Sequence, residues 1–326
     1  MFNKINKWLI GTFAILLVIT VVMIILNRSE GAASRNRSFN SNLTRIDTAT
    51  VTRISITPRF GQKQIELFRK DQLWKVEVDD RIYNADPSAV KGMLLSLSSL
   101  RATRIAARDR DQWAAYELTD SAATHVIVNS GKKTVADIYL GKFSYQQPKN
   151  PNPYMYQQQG KMTSYIRVAE DKQVYAVDGM IALSFNREAS DFRDRALIRS
   201  NKENWNRLTV RTPQNFYTLT KQDNKWMIDG LPADSASVET YLTSLAWLNS
   251  SDFIEGRLLA ATSPSHSLSI EGDTMPIPIK IEAFPADSLN AYAIASSLNE
   301  GSYFSGSKNN LFGKIFRTRD EFMIHD

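Results

Sequence analysis

The chain of 326 residues contains no cysteine, which excludes disulfides, thiolate metal sites, cysteine nucleophiles and a lipidated N-terminal cysteine. Only three histidines occur. His125, His266 and His325 each lack a second histidine or a carboxylate three or four positions downstream, the spacing of a metal-binding helix face. Glycine is scarce at 14 residues, and no glycine-rich phosphate-binding motif is present. We therefore expect no metal, no cofactor and no nucleotide site.

Carboxylate pairs suited to acid–base catalysis are also hard to find. Asp79-Asp80 stands at a strand end, as in a hairpin turn, while Asp86 and Asp234 each precede a helix as caps. His125 lies in an apolar strand and is interpreted as structural. The sequence thus predicts a protein that is not an enzyme. A hydrolase would require His125 to meet an acid and a hydroxyl group in one pocket.

A long apolar run is present near the N-terminus, where Trp8 to Leu26 carries no charge. Its length suits a helix that crosses the roughly 30 Å hydrocarbon layer of a bilayer. We expect an uncleaved transmembrane anchor that contacts lipid through residues 8–26. The alternative is a cleavable signal peptide, because Lys4 and Lys7 precede the run and small residues follow it, although signal cores usually span about 7 to 15 residues.

The positive charge of the chain is concentrated beside this run. The formal net charge is +6, and the first 50 residues hold six basic and two acidic side chains, which leaves a net charge of only +2 for the rest. A nearly neutral body argues against nucleic acid as a partner, whereas basic residues beside the anchor can meet anionic headgroups. The Ser, Asn and Arg that dominate the segment after the anchor are typical of a flexible stalk.

The remainder of the chain repeats one pattern. Alternating strands lead through a polar turn to Trp74 and, later, to Trp226. In each copy an Ala-Asp pair then opens a leucine-rich helix, with Asp86 and Asp234 as the caps. Features that recur at matched positions belong to a scaffold more often than to a site, so we interpret these four residues as structural repeat markers. The alternative for the two tryptophans is a role as stacking platforms for sugars or bases.

These patterns predict an α+β protein with an N-terminal transmembrane helix and two tandem repeats, each an antiparallel sheet packed on a helix. The predicted ranges are 1–27 for the tail and anchor, 28–45 for the stalk, 46–200 for the first repeat and 201–326 for the second. Two finer expectations accompany them. The arginines at 101, 104, 108 and 110 are predicted to form a solvated helix end or loop, and Phe316-Arg317 is matched with Phe192-Arg193.

One segment, Gln146 to Gln159, has no counterpart in the second repeat, and its prolines exclude a regular central strand. It is either an exposed inserted loop or a contact loop. The second interpretation makes Tyr154, Met155 and Tyr156 candidate partner contacts, because aromatic and methionine side chains are enriched at interfaces.

The order of these motifs resembles the bacterial domain-of-unknown-function family numbered 4340. The motifs are the N-terminal anchor, Trp74-Lys75-Val76, Ala85-Asp86 before the helix, Tyr116-Glu117-Leu118, Leu140-Gly141 and Asp191-Phe192-Arg193-Asp194-Arg195. Glu117 departs from the glycine expected in a Tyr-Gly-Leu turn. The resemblance implies a membrane-anchored extracytoplasmic protein, often encoded beside ABC transporter subunits similar to the auxiliary component of the gliding-motility transporter, and it implies no catalytic residues.

We therefore expect a single-pass protein of the bacterial inner membrane with its body outside the cytoplasm. The expected function is that of a non-catalytic accessory or scaffold subunit of an ABC-type transporter or envelope complex, whose partners are membrane proteins. The alternative is a binding module for cell-wall glycan or an exported substrate, with exposed aromatic residues in the cleft between the repeats. Burial of the indoles of Trp74 and Trp226 would exclude them from that role.

Overall fold

The computed structural model describes residues 41–61, 63–147, 160–254, 263–286 and 291–324. These residues form a mostly β protein with two antiparallel sheets, of nine and eight strands, and three α-helices. The two helices predicted from leucine spacing are present, but they have only 12 and 11 residues. The expectation of an α+β class is therefore corrected to mostly β, because the described residues contain only three short α-helices beside 17 strands.

The first repeat, as the structure shows it, comprises the nine-stranded sheet and helix α1. The strand order in the sheet is β4-β3-β2-β1-β6-β7-β8-β9-β5. The elements are β1 (Arg53–Thr57), β2 (Ile65–Lys70), β3 (Leu73–Val78), β4 (Arg81–Asn84), α1 (Pro87–Ser98), β5 (Ala102–Ala107), β6 (Thr124–Ser130), β7 (Lys133–Gln146), β8 (Lys161–Val168) and β9 (Val174–Asp178).

The second repeat comprises the eight-stranded sheet with helices α2 and α3. Its strand order is β13-β12-β11-β10-β14-β15-β16-β17. The elements are β10 (Arg207–Arg211), β11 (Phe216–Gln222), β12 (Lys225–Ile228), β13 (Leu231–Pro232), α2 (Ser235–Leu245), β14 (His266–Glu271), β15 (Ile279–Pro285), β16 (Tyr292–Ser296), β17 (Tyr303–Ser305) and α3 (Leu311–Ile315).

Eight strands follow the same order in both sheets, with β10 in the place of β1 and β14 in the place of β6, and β5 is the additional strand of the first sheet. The register of pairing matches as well. Ile54 faces Val128 across β1 and β6, and Leu208 faces Ile270 across β10 and β14. All four side chains are fully buried. Because a shift of one residue would turn each apolar row towards solvent, burial holds both sheets in the same register.

Tight turns join the first strands of each sheet. Four two-residue hairpin turns have positive φ at both positions, which is the geometry of a type I′ turn. They are Asp71-Gln72, Asp79-Asp80, Asp223-Asn224 and Asp229-Gly230. The prediction of a hairpin turn at Asp79-Asp80 is confirmed, and each turn begins with aspartate because this side chain tolerates the left-handed region.

The helices begin as predicted. Asp86 accepts hydrogen bonds from the backbone N–H of Ser88 (2.8 Å) and Ala89 (3.3 Å), and Asp234 accepts one from Ser237 (2.8 Å). Each cap contributes about 1 kcal/mol to stability. The buried face of α1 consists of Val90, Met93, Leu94 and Leu97, and that of α2 of Val238, Tyr241, Leu242 and Leu245. Each fully buried apolar side chain adds about 1.5 to 3 kcal/mol.

The matching of Phe192-Arg193 with Phe316-Arg317 is wrong. The backbone N–H of Asp86 donates to the carbonyl oxygen of Phe192 at 2.8 Å, and that of Asp234 donates to the carbonyl oxygen of Phe322 at 2.9 Å. Phe322 is therefore the counterpart of Phe192, and Met323 is that of Arg193. Both phenylalanines are fully buried, and each ends a short 3-10 turn that begins with a capping box.

All four arginines of the cluster are exposed, and Arg108 and Arg110 lie in a bend and a 3-10 turn as predicted, but Arg104 is placed differently. Arg104 lies in the edge strand β5, which pairs with β9, rather than in a helix end or loop. The strand was missed because its residues are mostly small and do not alternate. A charged side chain on an exposed edge discourages pairing with another chain.

The predicted anchor at Trp8–Leu26 and most of the stalk lie outside the described residues. Within the described ranges, no helix has both the length and the apolar character needed to cross a membrane.

Candidate binding cleft at the junction of the two repeats

The chain passes from one sheet to the other through residues 191–199, here called the junction segment. Arg193 lies at its centre and is only 1% exposed. Its guanidinium carbon lies 3.7 Å from the ring centroid of Tyr83 in the first repeat and 3.7 Å from that of Phe253 in the second. Its Nη2 donates to the hydroxyl of Ser302 at 3.4 Å. One buried cation thus contacts aromatic rings from both repeats.

The second repeat also binds the backbone of this segment. Ser296 donates its hydroxyl hydrogen to the carbonyl oxygen of Leu197 at 2.6 Å, and the side-chain amide of Asn299 donates to the carbonyl oxygen of Asp194. The Asp194 carboxylate is buried and accepts from the backbone N–H of Ala196 (3.0 Å) and from Nη2 of Arg199 (2.7 Å). These hydrogen bonds hold the junction segment against the second repeat, so it is not a flexible linker.

A cavity of about 310 Å³ opens beside the junction segment. We call it the junction cleft. Its polar and aromatic lining consists of Asp86, Ser88, Asp194, Arg195, Arg199, Trp247 and Asn249. The cleft thus lies where the start of α1, the junction segment and the end of α2 meet.

Trp247 is the aromatic residue of the cleft, and its backbone is unusual. It follows α2 in a turn in which Ala246 has φ −60° and ψ 128° and Trp247 has φ 59°. The backbone N–H of Leu248 donates to the carbonyl oxygen of Leu245 at 3.1 Å. These are features of a type II turn, whose third position favours glycine or asparagine. The indole is 60% exposed, so core packing does not explain its place.

The first repeat lacks this arrangement. The position that matches Trp247 is Ser99, which has an ordinary φ of −104°. The junction cleft is therefore a feature in which the two copies differ.

A second feature in which the two copies differ is the hairpin of β7 and β8, which is longer than the matching hairpin of β15 and β16. Strand β7 has 14 residues, against seven in β15. Near the end of β7, Phe143 is 46% exposed and Tyr145 is 52% exposed. A Cβ at Gly160 would lie 2.3 Å from the Tyr145 ring, so glycine on the opposite arm lets this ring approach the backbone. The loop candidates Tyr154, Met155 and Tyr156 lie outside the described residues.

Of the four predicted repeat markers, Asp86 lines the junction cleft, whereas Trp74, Trp226 and Asp234 do not. Trp74 and Trp226 are half-buried, and each packs against the core of its own repeat. Arg69 lies over the Trp74 ring at 5.2 Å. The exposed aromatic residue of the cleft is thus Trp247, which the sequence did not single out.

The outer face of the first sheet carries a further polar cluster. The guanidinium carbon of Arg167 lies 3.9 Å from the ring centroid of Trp113 and 3.4 Å from that of Tyr139. Its Nε donates to the carbonyl oxygen of Leu118 at 2.9 Å, and it forms an ion pair with Asp120. Arg167 therefore ties the segment that contains Trp113 and Asp120 to the sheet.

His125 lies on the same face. Its Nε2 is 2.6 Å from Oδ1 of Asp137, and its ring stacks on Tyr139 with centroids 4.0 Å apart. The acid that a hydrolase needs is thus present, but no hydroxyl group within the described ranges forms a hydrogen bond with His125. Over the same ranges, no three His, Cys, Asp or Glu side chains stand together as a metal site would require. His325 is outside them.

A comparison with known protein families shows which family the chain belongs to. The family described as "Domain of unknown function (DUF4340)" matches residues 74–268, which is more than half of the chain. The chain belongs to this family. The DUF4340 match runs from β3 to β14 and contains every residue named above as lining the junction cleft. No curated protein and no solved structure matches the chain.

Within the DUF4340 match, the turn at Glu117 explains why glycine is expected there. Glu117 has φ 56° and ψ 41°, the left-handed conformation that glycine adopts without steric cost. Its carboxylate lies 3.1 Å from Nη1 of Arg59. A favourable ion pair thus accompanies the strained backbone of this position.

His266, at the start of β14, provides a pH-dependent contribution to stability. Its ring packs edge-on against Tyr292 and Phe312, with centroids 5.2 and 5.0 Å away, and its Nδ1 lies 2.9 Å from the hydroxyl of Ser265. Burial disfavours the charged imidazolium and lowers the pKa of His266 below 6.5.

Because the folded pKa is the lower one, the unfolded chain binds the proton more readily as the pH falls. We expect the free energy of unfolding to decrease below pH 6.5 and to level off below the folded pKa. Denaturant titrations of wild type and His266→Phe from about pH 7 to about pH 5 measure this effect. The variant should show a shallower slope, and an unchanged slope would contradict the assignment to His266.

Proposed function

We propose that this protein is a membrane-anchored, extracytoplasmic accessory or scaffold subunit of an ABC-type transporter or envelope complex, and that it has no catalytic activity. The uncharged run from Trp8 to Leu26 supports the anchor. Its body resides in the periplasm or its equivalent, attached to the inner membrane through this one helix. The partners are the membrane subunits of the complex.

The observation that carries this proposal is the extended hairpin of β7 and β8. In the described residues, the matching strand β15 has seven residues against 14 in β7, so the common scaffold does not require the extension. Its outer part exposes Phe143 and Tyr145 beyond the core and leads into the Pro- and Tyr-rich segment ending at Gln159. Aromatic side chains of this kind carry much of the binding energy at protein interfaces.

Deletion of Gln146 to Gln159 tests the proposal, together with the double variant Phe143→Ser, Tyr145→Ser. Both variants should unfold at nearly the wild-type temperature, because Phe143 and Tyr145 are exposed and the deletion starts at the exposed Gln146. Capture of transporter membrane subunits from cross-linked membranes should fall about tenfold or more, since interface aromatics are often worth 2 kcal/mol or more each.

The matched control is Phe216→Ser in β11. Phe216 is an exposed aromatic residue at 58%, but it lies in a strand that both repeats share. This variant should capture the partners as well as wild type does. Equal capture by the hairpin variants and wild type would refute the role of the hairpin.

The second candidate function is that of a binding module for glycan or an exported substrate. The observation that favours it is the exposed indole of Trp247 in the cleft between the repeats, rather than Trp74 or Trp226. The two functions are compatible, since the hairpin and the cleft involve different residues.

A further inference from the structure

We infer that the junction cleft binds one uncharged sugar ring of an oligosaccharide, with Trp247 as the stacking platform. This inference rests on the second candidate function and names its site and ligand class.

Trp247 occupies a turn position with φ 59°, which glycine or asparagine would fill with less strain. A non-glycine residue in the left-handed region has a conformational energy about 1 to 2 kcal/mol above that of glycine. Strained residues of this kind concentrate at binding sites, where the surrounding structure holds them in place. The hydrogen bond from the Asn249 side chain to the carbonyl oxygen of Trp247 (3.1 Å) fixes this turn against the cleft.

The charges that line the cleft are compensated from within the protein. Arg199 pairs with Asp194 at 2.7 Å, and Arg195 pairs with Asp191 at 3.4 Å. The carboxylate of Asp86 accepts N–H groups at the start of α1, where the helix dipole favours negative charge. The four charged side chains that line the cleft are two aspartates and two arginines, whose formal charges sum to zero, so the cleft suits a neutral ligand.

The lining nevertheless keeps hydrogen-bonding capacity. Ser88 contributes a hydroxyl group and Asn249 an amide group to this lining. Planar amide, carboxylate and guanidinium groups beside an aromatic face are suited to a sugar ring, whose C–H face covers the indole while its hydroxyl groups pair at the edge. The volume of about 310 Å³ is at the lower end for ligand pockets, which favours a single ring.

The test is calorimetric titration of the full chain in detergent micelles with the tetramer of N-acetylglucosamine. Wild type should bind, Trp247→Ala should bind at least about tenfold more weakly, and Trp247→Phe should keep most of the affinity. Trp247→Gly should also lose affinity while remaining folded, because glycine suits the turn. Trp74→Phe is the matched control on the scaffold and should bind like wild type.

The results of these titrations distinguish an error in the site from an error in the proposed function. Equal binding by wild type and both Trp247→Ala and Trp247→Gly would place glycan binding elsewhere and overturn the cleft assignment. Absence of binding by wild type would overturn the cleft proposal and the second function together. Tighter binding of a polyuronic acid or of a short neutral peptide than of the tetramer would overturn the neutral-sugar class.

Discussion

Replacing Arg193 with alanine is expected to lower the free energy of unfolding by about 3 kcal/mol. The guanidinium carbon lies 3.7 Å from the ring centroids of both Tyr83 and Phe253, so the change removes two cation–π contacts and leaves a cavity between the repeats. Denaturant unfolding of the full chain, followed by tryptophan fluorescence, measures the loss.

Two variants separate packing from charge at this position. Arg193→Met introduces the residue that stands at the matched position of the second repeat, Met323, and its flexible side chain should recover about half of the loss. Arg195→Ala is the adjacent control. Because the side chain of Arg195 is 43% exposed, its replacement should cost less than about 1 kcal/mol. Equal losses for Arg193→Ala and Arg195→Ala would contradict the role of Arg193 at the junction.

Replacing Arg167 with alanine should have a similar effect on the first sheet, about 3 kcal/mol. Arg167 is 2% exposed, lies between the rings of Trp113 and Tyr139, and binds the carbonyl oxygen of Leu118. Its loss removes the attachment of the segment around Trp113. Limited proteolysis should therefore detect new cleavage in this segment, in addition to the lower unfolding free energy.

The second repeat indicates that the expected loss of stability comes from the contacts of Arg167 and not from placing alanine in this strand. Arg167 faces Tyr139 across β7 and β8, and Ala295 faces Glu282 at the matched place in β15 and β16. Alanine is thus acceptable in the strand. Arg104→Ala, in the exposed edge strand β5, is the control and should change stability by less than about 0.5 kcal/mol. Loss of stability without new cleavage near Trp113 would contradict the proposed attachment.

Several parts of the fold could be predicted because their signals are local. Asp86 before Pro87 and a leucine-spaced run is enough to predict a capped helix, and the Asp79-Asp80 pair is enough to predict a turn. Period-two alternation located most of the central strands. The edge strand β5 and its Arg104 were missed because short edge strands tolerate small and charged residues that do not alternate.

The residues of the junction could not be predicted in this way. Arg193 belongs to a charged run and would be solvated in most contexts, and it is buried against aromatic residues that are distant in sequence, 110 residues before it and 60 after it. Trp247 carries no sequence signal of its positive φ, since turn preferences point to glycine there. Comparison of the two copies offers one signal, because Ser99 matches Trp247, whereas the match of Met323 with Arg193 becomes visible only in the structure.

The central claim is that the two repeats supply a common scaffold and that partner binding belongs to the features in which they differ. The most direct test places a photo-cross-linking amino acid at Tyr145 and, separately, at Phe216, which are 52% and 58% exposed. Irradiation of intact membranes should link the position at Tyr145 to a transporter membrane subunit, identified by mass spectrometry, and the position at Phe216 should give no such product. Capture of the same subunit in equal yield from both positions, or from Phe216 alone, would contradict the account.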